Sequence, residues 1–554
     1  MNPEEYHETA GIPATAQQAP ADVQTSQPRT DAPGFTQTPQ MQSTSPYGQS
    51  PQPGMPPYGQ PPQRPPVPDT EETKRMKAQF SFFGPATLVY AILYAFCTFK
   101  NPSGVAFLLF IAGSLVFLCM ALKRLAVSLR KDSPFYFAGM ILLGISTFCT
   151  DDERLIFFNK LGIFLLMMSL LLSLFYETGK WHFGKWLGSI VVSCLESLGE
   201  LERPFRDFKT YLQGDGRKNR TVWYVLLGVL VTLPLAAIVL ALLGSADIVF
   251  QGMLDRIFAN ISFENVFGVL IRILFLFFAA YLLLSYMCRH KLSDEQPDHR
   301  KGEPVVAITV AGLMTLIYLV FSVVQIVYLF LGRLTLPEGY TYAEYAREGF
   351  FQLLAVGILN LVLVLVLLSF FRESRILKAV LTVTCLCSYI MIASSAMRMV
   401  LYIRYYDLTF LRILVLWTLC LLSLLFGGII ASVFYAPFPL FRYSCVVMTV
   451  LYIGLSFAHP DYWIAKYNLT HEKRTDFHYL TELSADAAPV LAPYLNAHEP
   501  YESQEASWRS LISQNTFERL NFHLTEWKEE SDEASLRQFN VSRYVASLTV
   551  GDGS

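Results

Sequence analysis

Long apolar runs alternate with short polar loops along most of the chain between Phe80 and Ala458. Bilayer hydrocarbon offers no partner to backbone N–H and C=O groups, so repeated apolar runs of about 20 residues are typical of membrane-spanning helices. The pattern predicts an all-α fold, a polytopic membrane bundle of about eleven transmembrane helices. The predicted spans are 80–99, 103–122, 134–150, 155–176, 221–243, 264–288, 303–331, 349–371, 376–403, 410–435 and 441–458.

Basic residues concentrate in alternate loops, which predicts the orientation of the bundle. Lys123 and Arg124 begin a basic loop between the second and third spans, and Arg372 and Arg375 follow the eighth. Further lysines and arginines lie between the fourth and fifth spans and after the sixth. The positive-inside rule places these loops and the N-terminus in the cytoplasm, and an odd number of spans then places the C-terminus outside.

The spans divide the chain into three predicted parts. Residues 1–72 form a tail rich in Pro and Gln, whose composition predicts a disordered cytoplasmic segment. Residues 73–459 form the transmembrane domain, in which 181–213 predicts an amphipathic helix with tryptophans at headgroup depth, or else a plain linker helix. Residues 460–554 predict a small, helical, extracytoplasmic region that packs on the membrane domain.

The tail contains a proline-rich stretch at residues 61–68. Such a stretch adopts polyproline II, a conformation that docks in aromatic grooves of other proteins. The sequence therefore raises the hypothesis of a cytoplasmic protein partner for the tail, with a flexible spacer as the alternative.

Composition narrows the classes of function. Of the 554 residues 16% are charged, below the roughly 25% of soluble proteins, and the formal net charge of −2 gives no indication of a nucleic-acid partner. The sequence contains no Walker loop, nucleophile elbow or dinucleotide fingerprint. His471, Glu472 and His478 lack the spacing of a zinc protease. We therefore predict no metal site, no cofactor and no catalytic residue.

The strongest candidate for a binding site lies in the ninth span. Ser388, Ser395, Arg398, Tyr402 and Tyr405 are spaced by seven, three, four and three residues, which places them on one helical face. A charged side chain in hydrocarbon is costly, so it faces the bundle interior or a water-filled cavity. The guanidinium fork suits bidentate binding of phosphate or carboxylate. The set predicts an outward-facing site for an anionic headgroup or a lipid-linked phosphate.

Three other arginines extend this prediction. Arg404 and Arg412 lie near the same outer end, and Arg272 lies in the sixth span, about two turns from its outer end. Membrane lipids are the expected partners. The alternative is structural: Arg398 and Arg272 pair with carboxylates or helix carbonyls, while Arg404 and Arg412 extend to lipid phosphates. The candidate carboxylate partners are Asp407, Asp461 and Asp247.

Two acidic features lie on the same predicted outer side. Asp461 follows the last span, where it would accept a proton or orient a substrate, or would simply N-cap a helix. Asp151, Asp152 and Glu153 form an outer loop. Membrane glycosyltransferases that use polyprenyl-phosphate sugars often carry such acidic pairs, whereas the alternative is a solvated loop.

Two stretches of sequence form extended motifs. The first reads Arg-x-x-x-Tyr-x-x-x-Tyr-Asp-Leu-Thr-x-x-Arg and ends the segment Ser394–Arg412. The second reads Asp-x-x-Ile-Ala-x-x-Asn over Asp461–Asn468, and continues as Leu-x-x-Leu-Ser-x-Asp-Ala over Leu480–Ala487.

These motifs resemble a family of bacterial multi-spanning membrane proteins known as a domain of unknown function, of the 4153/4173 type. The resemblance covers roughly residues 80–500. This chain departs from the family pattern at Asp407, where the family has Gly, and at His459-Pro460, where the family has Asn and any residue. The resemblance implies a bacterial plasma membrane, and it implies no activity because none is established for the family.

Three hypotheses for the function remain. The first is a non-enzymatic membrane protein that binds or moves an anionic or lipid-like ligand from the outer leaflet through Arg398 and Tyr402. The second is a lipid-linked, polyprenyl-phosphate transferase that uses Asp151 and Asp152. The third is a regulatory or scaffold subunit that senses the state of the membrane.

Overall fold

The fold is described from a computed structural model of the 554-residue chain. The described residues are 69–214, scattered positions from 228 to 253, 263–290, 292, 302–327, 349–435, 437–470, 476–497 and 514–550. Nearly all of the predicted tail, residues 1–72, and most of the fifth predicted span, 221–243, lie outside them.

Within the described residues the chain forms helices and no strand, which confirms the predicted all-α class. The α-helices are α1 (Glu71–Ala78), α2 (Phe80–Thr98), α3 (Ala106–Leu125), α4 (Ser133–Cys149), α5 (Glu153–Phe175), α6 (Phe183–Ser197), α7 (Arg203–Gly214), α8 (Phe263–Cys288), α9 (Pro304–Gln325), α10 (Phe350–Phe370), α11 (Arg375–Tyr406), α12 (Phe410–Phe434), α13 (Leu440–Phe457), α14 (Pro460–Leu469), α15 (Phe477–Leu480), α16 (Ala488–Ala497), α17 (Gln514–Asp532) and α18 (Val541–Thr549).

Nine of the helices in the described residues are long and apolar enough to cross a membrane, so the protein is a multi-pass membrane protein. They are α2, α3, α5 and α8 to α13. The third predicted span corresponds to α4, which has only 17 residues. Pro134 occupies its first turn and Thr150 takes an extended backbone, so the sequence limits this helix at both ends. The predicted total of eleven spans is not confirmed.

One end of the bundle is covered by the C-terminal region, and we call it the capped end. The loops 99–105, 150–152 and 407–409 all contact residues beyond 460 at this end. Asn101 donates to the carbonyl of Arg537 at 3.0 Å, and Leu408 N–H donates to the Asn468 side chain at 2.8 Å. Because the linkers between alternate helices share these contacts, they define one face of the membrane domain.

The opposite end, which we call the basal end, brings together the other linkers. Asp132, before α4, pairs with Arg442 in α13 at 2.8 Å. Gly302, before α9, exchanges backbone hydrogen bonds with Phe370 and Arg372 next to the end of α10. The basic loops recognised in the sequence therefore meet at a single end.

Polar side chains join the apolar helices inside the bundle. Asn360 in α10 donates to Ser388 in α11 at 3.0 Å, and Ser394 in α11 donates to Gln325 at the end of α9 at 2.6 Å. All four side chains are buried. Hydrogen bonds of this kind each stabilise helix association in lipid by about 1 kcal/mol, and they fix α11 at the centre of its neighbours.

The helices α6 and α7 lie at the basal end, within the segment predicted to be interfacial. Trp186 donates its indole N–H to Ser169 in α5 at 3.0 Å, and Tyr281 in α8 donates to Asp207 in α7 at 2.8 Å. The tryptophans Trp181 and Trp186 are buried against protein, and the indole of Trp186 has its partner inside the bundle. Their position at headgroup depth stays a prediction.

The C-terminal region has a small core of its own over the capped end. Leu480, Leu491, Leu520 and Ala546 are buried together in it. Asn540, at the start of α18, donates to the carbonyl of Thr150 in the membrane domain at 2.9 Å. On α17, Phe517 and Leu524 are buried in this core as well, and Phe522 is exposed.

Candidate functional site

Arg398 lies inside the bundle near the capped end of α11, with only 8% of its surface exposed. Its guanidinium packs on Gly349, where an added Cβ would lie 2.6 Å from Nη1. Gly349 has a φ of 98°, so both its backbone and this contact require glycine. One turn earlier, Ser395 donates to the carbonyl of Phe350 at 3.2 Å. The start of α10 therefore packs on α11 near its capped end and holds the Arg398 charge in place. We call this contact the junction of α10 and α11.

Tyr402 and Arg412 lie next to this junction. The Tyr402 ring is 5.8 Å from that of Phe350, and the Arg412 guanidinium lies 4.3 Å from the centre of the Tyr402 ring. Arg412 also donates to the carbonyls of Tyr406 and Asp407 at the end of α11. Arg412 thus binds helix-end carbonyls, one of the structural roles considered for the other arginines.

Tyr405 and Arg404 do not join this group, because both are exposed. The reason is the length of α11 beyond its neighbour: Ser395 is level with the start of α10, and Tyr405 lies about 15 Å further along the helix axis. Arg398 and Tyr405 therefore lie on one face of α11 but differ in environment: Arg398 is buried and Tyr405 is exposed.

Arg272 lies at another place on the bundle. Its Nη1 donates to the carbonyl of Gly268 one turn earlier in α8, at 3.1 Å, and its guanidinium is 5.2 Å from the ring of Phe99. Asp247, one of its candidate partners, instead accepts backbone N–H bonds from Val249 and Phe250. Arg272 therefore binds a helix carbonyl, which is the structural role considered for it as the alternative to ligand binding.

Asp461 belongs to a second group at the capped end, which we call the carboxylate cluster: Asp151, Asp152, Asp461 and Asp486. Arg154 joins two of its members. The guanidinium donates twice to Asp152, at 2.8 and 2.9 Å, and once to Asp461 at 2.8 Å. The other oxygen of Asp461 accepts from the N–H and hydroxyl of Ser484.

The environment of Asp461 excludes the helix-capping role considered for it. The N-cap of α14 is His459, and Asp461 is the second residue of the helix, with its side chain bonded away from the helix N–H groups. The acidic loop is not solvated either, since Asp151 and Asp152 are both buried. Neither local sequence could show this, because Asp461 lies 307 positions from Arg154 and Asp151 lies 392 positions from Arg543.

Asp486 is the second centre of the cluster. It accepts from the Thr150 hydroxyl at 2.6 Å and from the Asp151 N–H at 3.0 Å. His459 Nδ1 lies 3.0 Å from the same carboxylate. Burial acts to raise the pKa of Asp486, but the His459 charge and hydrogen bond, with hydroxyl donors, outweigh it and hold the pKa below its usual value.

Asp151 connects the cluster to the last helix. Arg543 in α18 donates to it at 2.7 Å and also pairs with Glu530 at 2.8 Å. Burial raises the pKa of Asp151 to about 6, although Arg543 opposes the shift. Burial also raises the pKa of Asp461, with a further contribution from Asp152 and opposition from Arg154. The cluster therefore contains carboxyl groups with unequal proton affinities.

The carboxylate cluster clamps the C-terminal region to the capped end of the membrane domain through hydrogen bonds and ion pairs. Its guanidinium and imidazole partners compensate its buried charges, and its bonds join the α4–α5 loop to α14, to Ser484 and to α18. Among the residues that the structure describes, no group of three or more His, Cys, Asp or Glu side chains is arranged to hold a metal ion. The sequence analysis missed Arg154 and Arg543; the position of Arg154 directly after three acidic residues was the available signal.

At the capped end, Asp407 and His459 occupy unusual backbone conformations. These are the two positions where the chain differs from the motif described above. Asp407 has a φ of 66° and a ψ of −177°, a backbone region that is essentially restricted to glycine. His459 has a φ of 47°, in the left-handed region where Asn is among the better-tolerated residues. Gly and Asn in the family pattern thus match the backbone required at these two positions.

We expect Asp407→Gly to stabilise the protein by about 1 kcal/mol, because glycine adopts this backbone without the strain of a side chain. The melting temperature of the purified protein in detergent measures the change. Asp407→Ala is the matched control: it removes the same side-chain contacts but keeps a Cβ, and should give no gain. A gain of equal size in both variants would assign the effect to the Asp side chain instead of the backbone.

A comparison with known proteins places the chain in a family. Residues 137–494, more than half of the chain, match the family model described as Domain of unknown function (DUF4153). No curated protein and no solved structure matches the chain. The matched residues include the junction of α10 and α11 and the Asp461 and Asp486 segments of the carboxylate cluster. The chain therefore belongs to the family described as domain of unknown function (DUF4153).

Proposed function

We propose that this protein binds or moves an anionic or lipid-like ligand from the outer leaflet, without catalysis. The observation that carries the proposal is the burial of the Arg398 guanidinium at the junction of α10 and α11. A permanent charge inside a membrane-spanning helix is costly, and such residues are typical of ligand and ion pathways. Arginine is also the residue best suited to bind phosphate or carboxylate.

The aromatic surroundings of Arg398 support a ligand with an apolar part. Phe350 follows Gly349, on which Arg398 packs, and its ring is 5.8 Å from that of Tyr402. The Arg412 guanidinium packs on the Tyr402 ring. A phosphate or carboxylate would bind Arg398, while the attached hydrocarbon would lie among aromatic and aliphatic side chains. This combination of a cation and apolar side chains suits membrane lipids as partners.

The proposed location is the bacterial plasma membrane, with the basal end in the cytoplasm. The basic loops at that end favour this orientation by the positive-inside rule. The capped end, the C-terminal region and Arg398 would then belong to the outer side. The N-terminal tail would lie in the cytoplasm, where its proline-rich stretch would bind a partner protein.

A polyprenyl-phosphate transferase is less favoured by the geometry. The carboxylates of Asp151 and Asp152 are the groups that such a reaction would need. Each is buried and held by a guanidinium, from Arg543 and Arg154 respectively. A general base or metal ligand would have to give up that partner, at a cost of several kcal/mol.

The test is mass spectrometry of the lipids and small molecules that co-purify with the full chain. We expect wild type to retain a defined anionic species and Arg398→Leu to retain roughly 10- to 100-fold less, the loss expected for one charge-assisted contact. Arg404→Leu removes an exposed arginine from the same helix and should retain the species. Equal amounts of bulk phospholipid in all three preparations would overturn the proposal and favour a regulatory or scaffold role.

A further inference from the structure

A large cavity lies at the basal end of the bundle. Its volume is about 1360 Å³, above the roughly 300–1,000 Å³ of most small-molecule pockets. Its walls come from the segment 177–186 and from the basal ends of α10, α11, α12 and α13. It is distant from Arg398: Lys378 on its rim lies about 30 Å from Arg398 along the axis of α11, the thickness of the hydrocarbon core.

The depth of this cavity matches one leaflet. It is lined along α10 from Leu361 to Phe370 and along α12 from Leu425 to Val433. At 1.5 Å per residue these walls are about 12–14 Å long, close to half of the hydrocarbon thickness. Leucine, valine and phenylalanine dominate the walls, which suits extended acyl chains.

The cavity borders the outer surface of the bundle. Val362, Phe370 and Met448 line it and are also exposed. In a multi-pass membrane protein, exposed apolar side chains on spanning helices face lipid. Acyl chains would therefore enter from the side, directly out of the bilayer.

The rim provides cations at the level expected for a phosphate. Lys378 and Arg442 both line the cavity. Each already contacts a carboxylate at 2.8 Å, Lys378 that of Glu373 and Arg442 that of Asp132, in pairs that are partly or largely exposed. Exposed pairs of this kind are weak, so a lipid phosphate would compete successfully for the same cations.

We propose that the cavity binds one diacyl glycerophospholipid from the leaflet at the basal end. The acyl chains lie along the walls formed by α10 and α12, and the phosphate lies at the rim near Lys378 and Arg442. The site is separate from the proposed ligand site at Arg398 and does not depend on it. An Arg398→Leu variant should bind this lipid as wild type does.

The test is native mass spectrometry of the full chain after delipidation in detergent and titration with a palmitoyl-oleoyl phosphatidylglycerol probe. We expect wild type to bind one molecule saturably. Leu365→Trp fills the cavity wall and should weaken binding at least about tenfold, because part of the acyl-chain burial is lost. Lys378→Gln should weaken binding by about three- to tenfold while leaving the wall intact.

Val366→Trp is the matched control, because Val366 is the next residue of α10, is exposed and does not line the cavity. It should bind the probe as wild type does. Equal, unsaturable binding in both tryptophan variants would show only lipid on the outer surface and would overturn the proposal. Binding that occurs only after deletion of residues 1–68 would also overturn it, by assigning the cavity to the N-terminal tail.

Discussion

Replacing Arg154 by Met is expected to lower the free energy of unfolding by about 2 kcal/mol. This is less than the roughly 3–5 kcal/mol for one partner of a fully buried ion pair, because the Arg154 side chain is 39% exposed. Asp461 is fully buried and Asp152 is 2% exposed, and both bind the Arg154 guanidinium at 2.8 Å. The variant would leave two carboxylates in a low-dielectric site without their cation. The measurement is the melting temperature of the purified protein in detergent at neutral pH.

Two comparisons separate charge from packing in this prediction. Arg154→Lys keeps the charge but cannot form the three hydrogen bonds of the fork, so it should show a smaller loss. Arg206→Met removes an arginine from an exposed pair with Glu202 and should cost less than about 1 kcal/mol. If Arg154→Met and Arg206→Met melt alike, the cluster does not clamp the capped end.

Acidification provides a further check on the Arg154 variant. Without the guanidinium, the pKa of Asp461 would rise further above its usual value, because burial would be less opposed. The variant should therefore recover part of its lost stability as the pH falls and the carboxyl becomes neutral. A loss that stays constant between about pH 5 and pH 8 would indicate that lost packing, including the contact of Arg154 with the ring of Phe410, dominates.

The class of fold could be predicted from sequence because lipid imposes a simple rule on the backbone. Apolar runs such as 350–370 have almost no other stable structure in a membrane. The short helix α4, Ser133–Cys149, agrees within one residue with the predicted span 134–150, because Pro134 and Thr150 limit it at both ends. The environment of α6 and α7 is harder to predict, because the pattern of residues 181–213 does not reveal whether its tryptophans face lipid or protein.

The candidate site could be predicted only residue by residue. Asp151 and Asp461 were both recognised as unusual, but Arg154 and Asp461 are 307 positions apart and no sequence pattern connects them. The pairing depends on the packing of the C-terminal region over the bundle. The helical period places Tyr405 and Arg398 on one face of α11. It could not show that α10 begins level with Ser395, so that Tyr405 extends beyond α10 and is exposed.

The second large effect is a fall in stability as the pH rises from about 4 to 8, by about 1–3 kcal/mol. Burial raises the pKa of Asp151 to about 6, so the folded chain binds this proton more tightly than the unfolded chain. Its stabilising contribution is full below the unfolded pKa of roughly 3.9 and is lost as the pH rises through about 6. Asp461, whose pKa is also raised by burial, acts in the same direction.

His459 extends this effect to higher pH. Its hydrogen bond to Asp486 raises its pKa above the usual value, although burial opposes the shift. The contribution of a histidine with a raised pKa is full below about 6.5 and is lost as the pH rises through the folded pKa. Asp486 has a lowered pKa, so its own contribution is lost only in acid below this range.

Melting curves across this pH range, with variants, test the assignment. Asp151→Asn keeps an oxygen for Arg543 but cannot ionise, so it should flatten the lower part of the pH dependence. His459→Asn, which suits the left-handed backbone at this position, should flatten the upper part. Glu202→Gln changes an exposed carboxylate and should leave the curve unchanged. A full pH dependence in the Asp151→Asn and His459→Asn double variant would place the responsible protons outside the cluster.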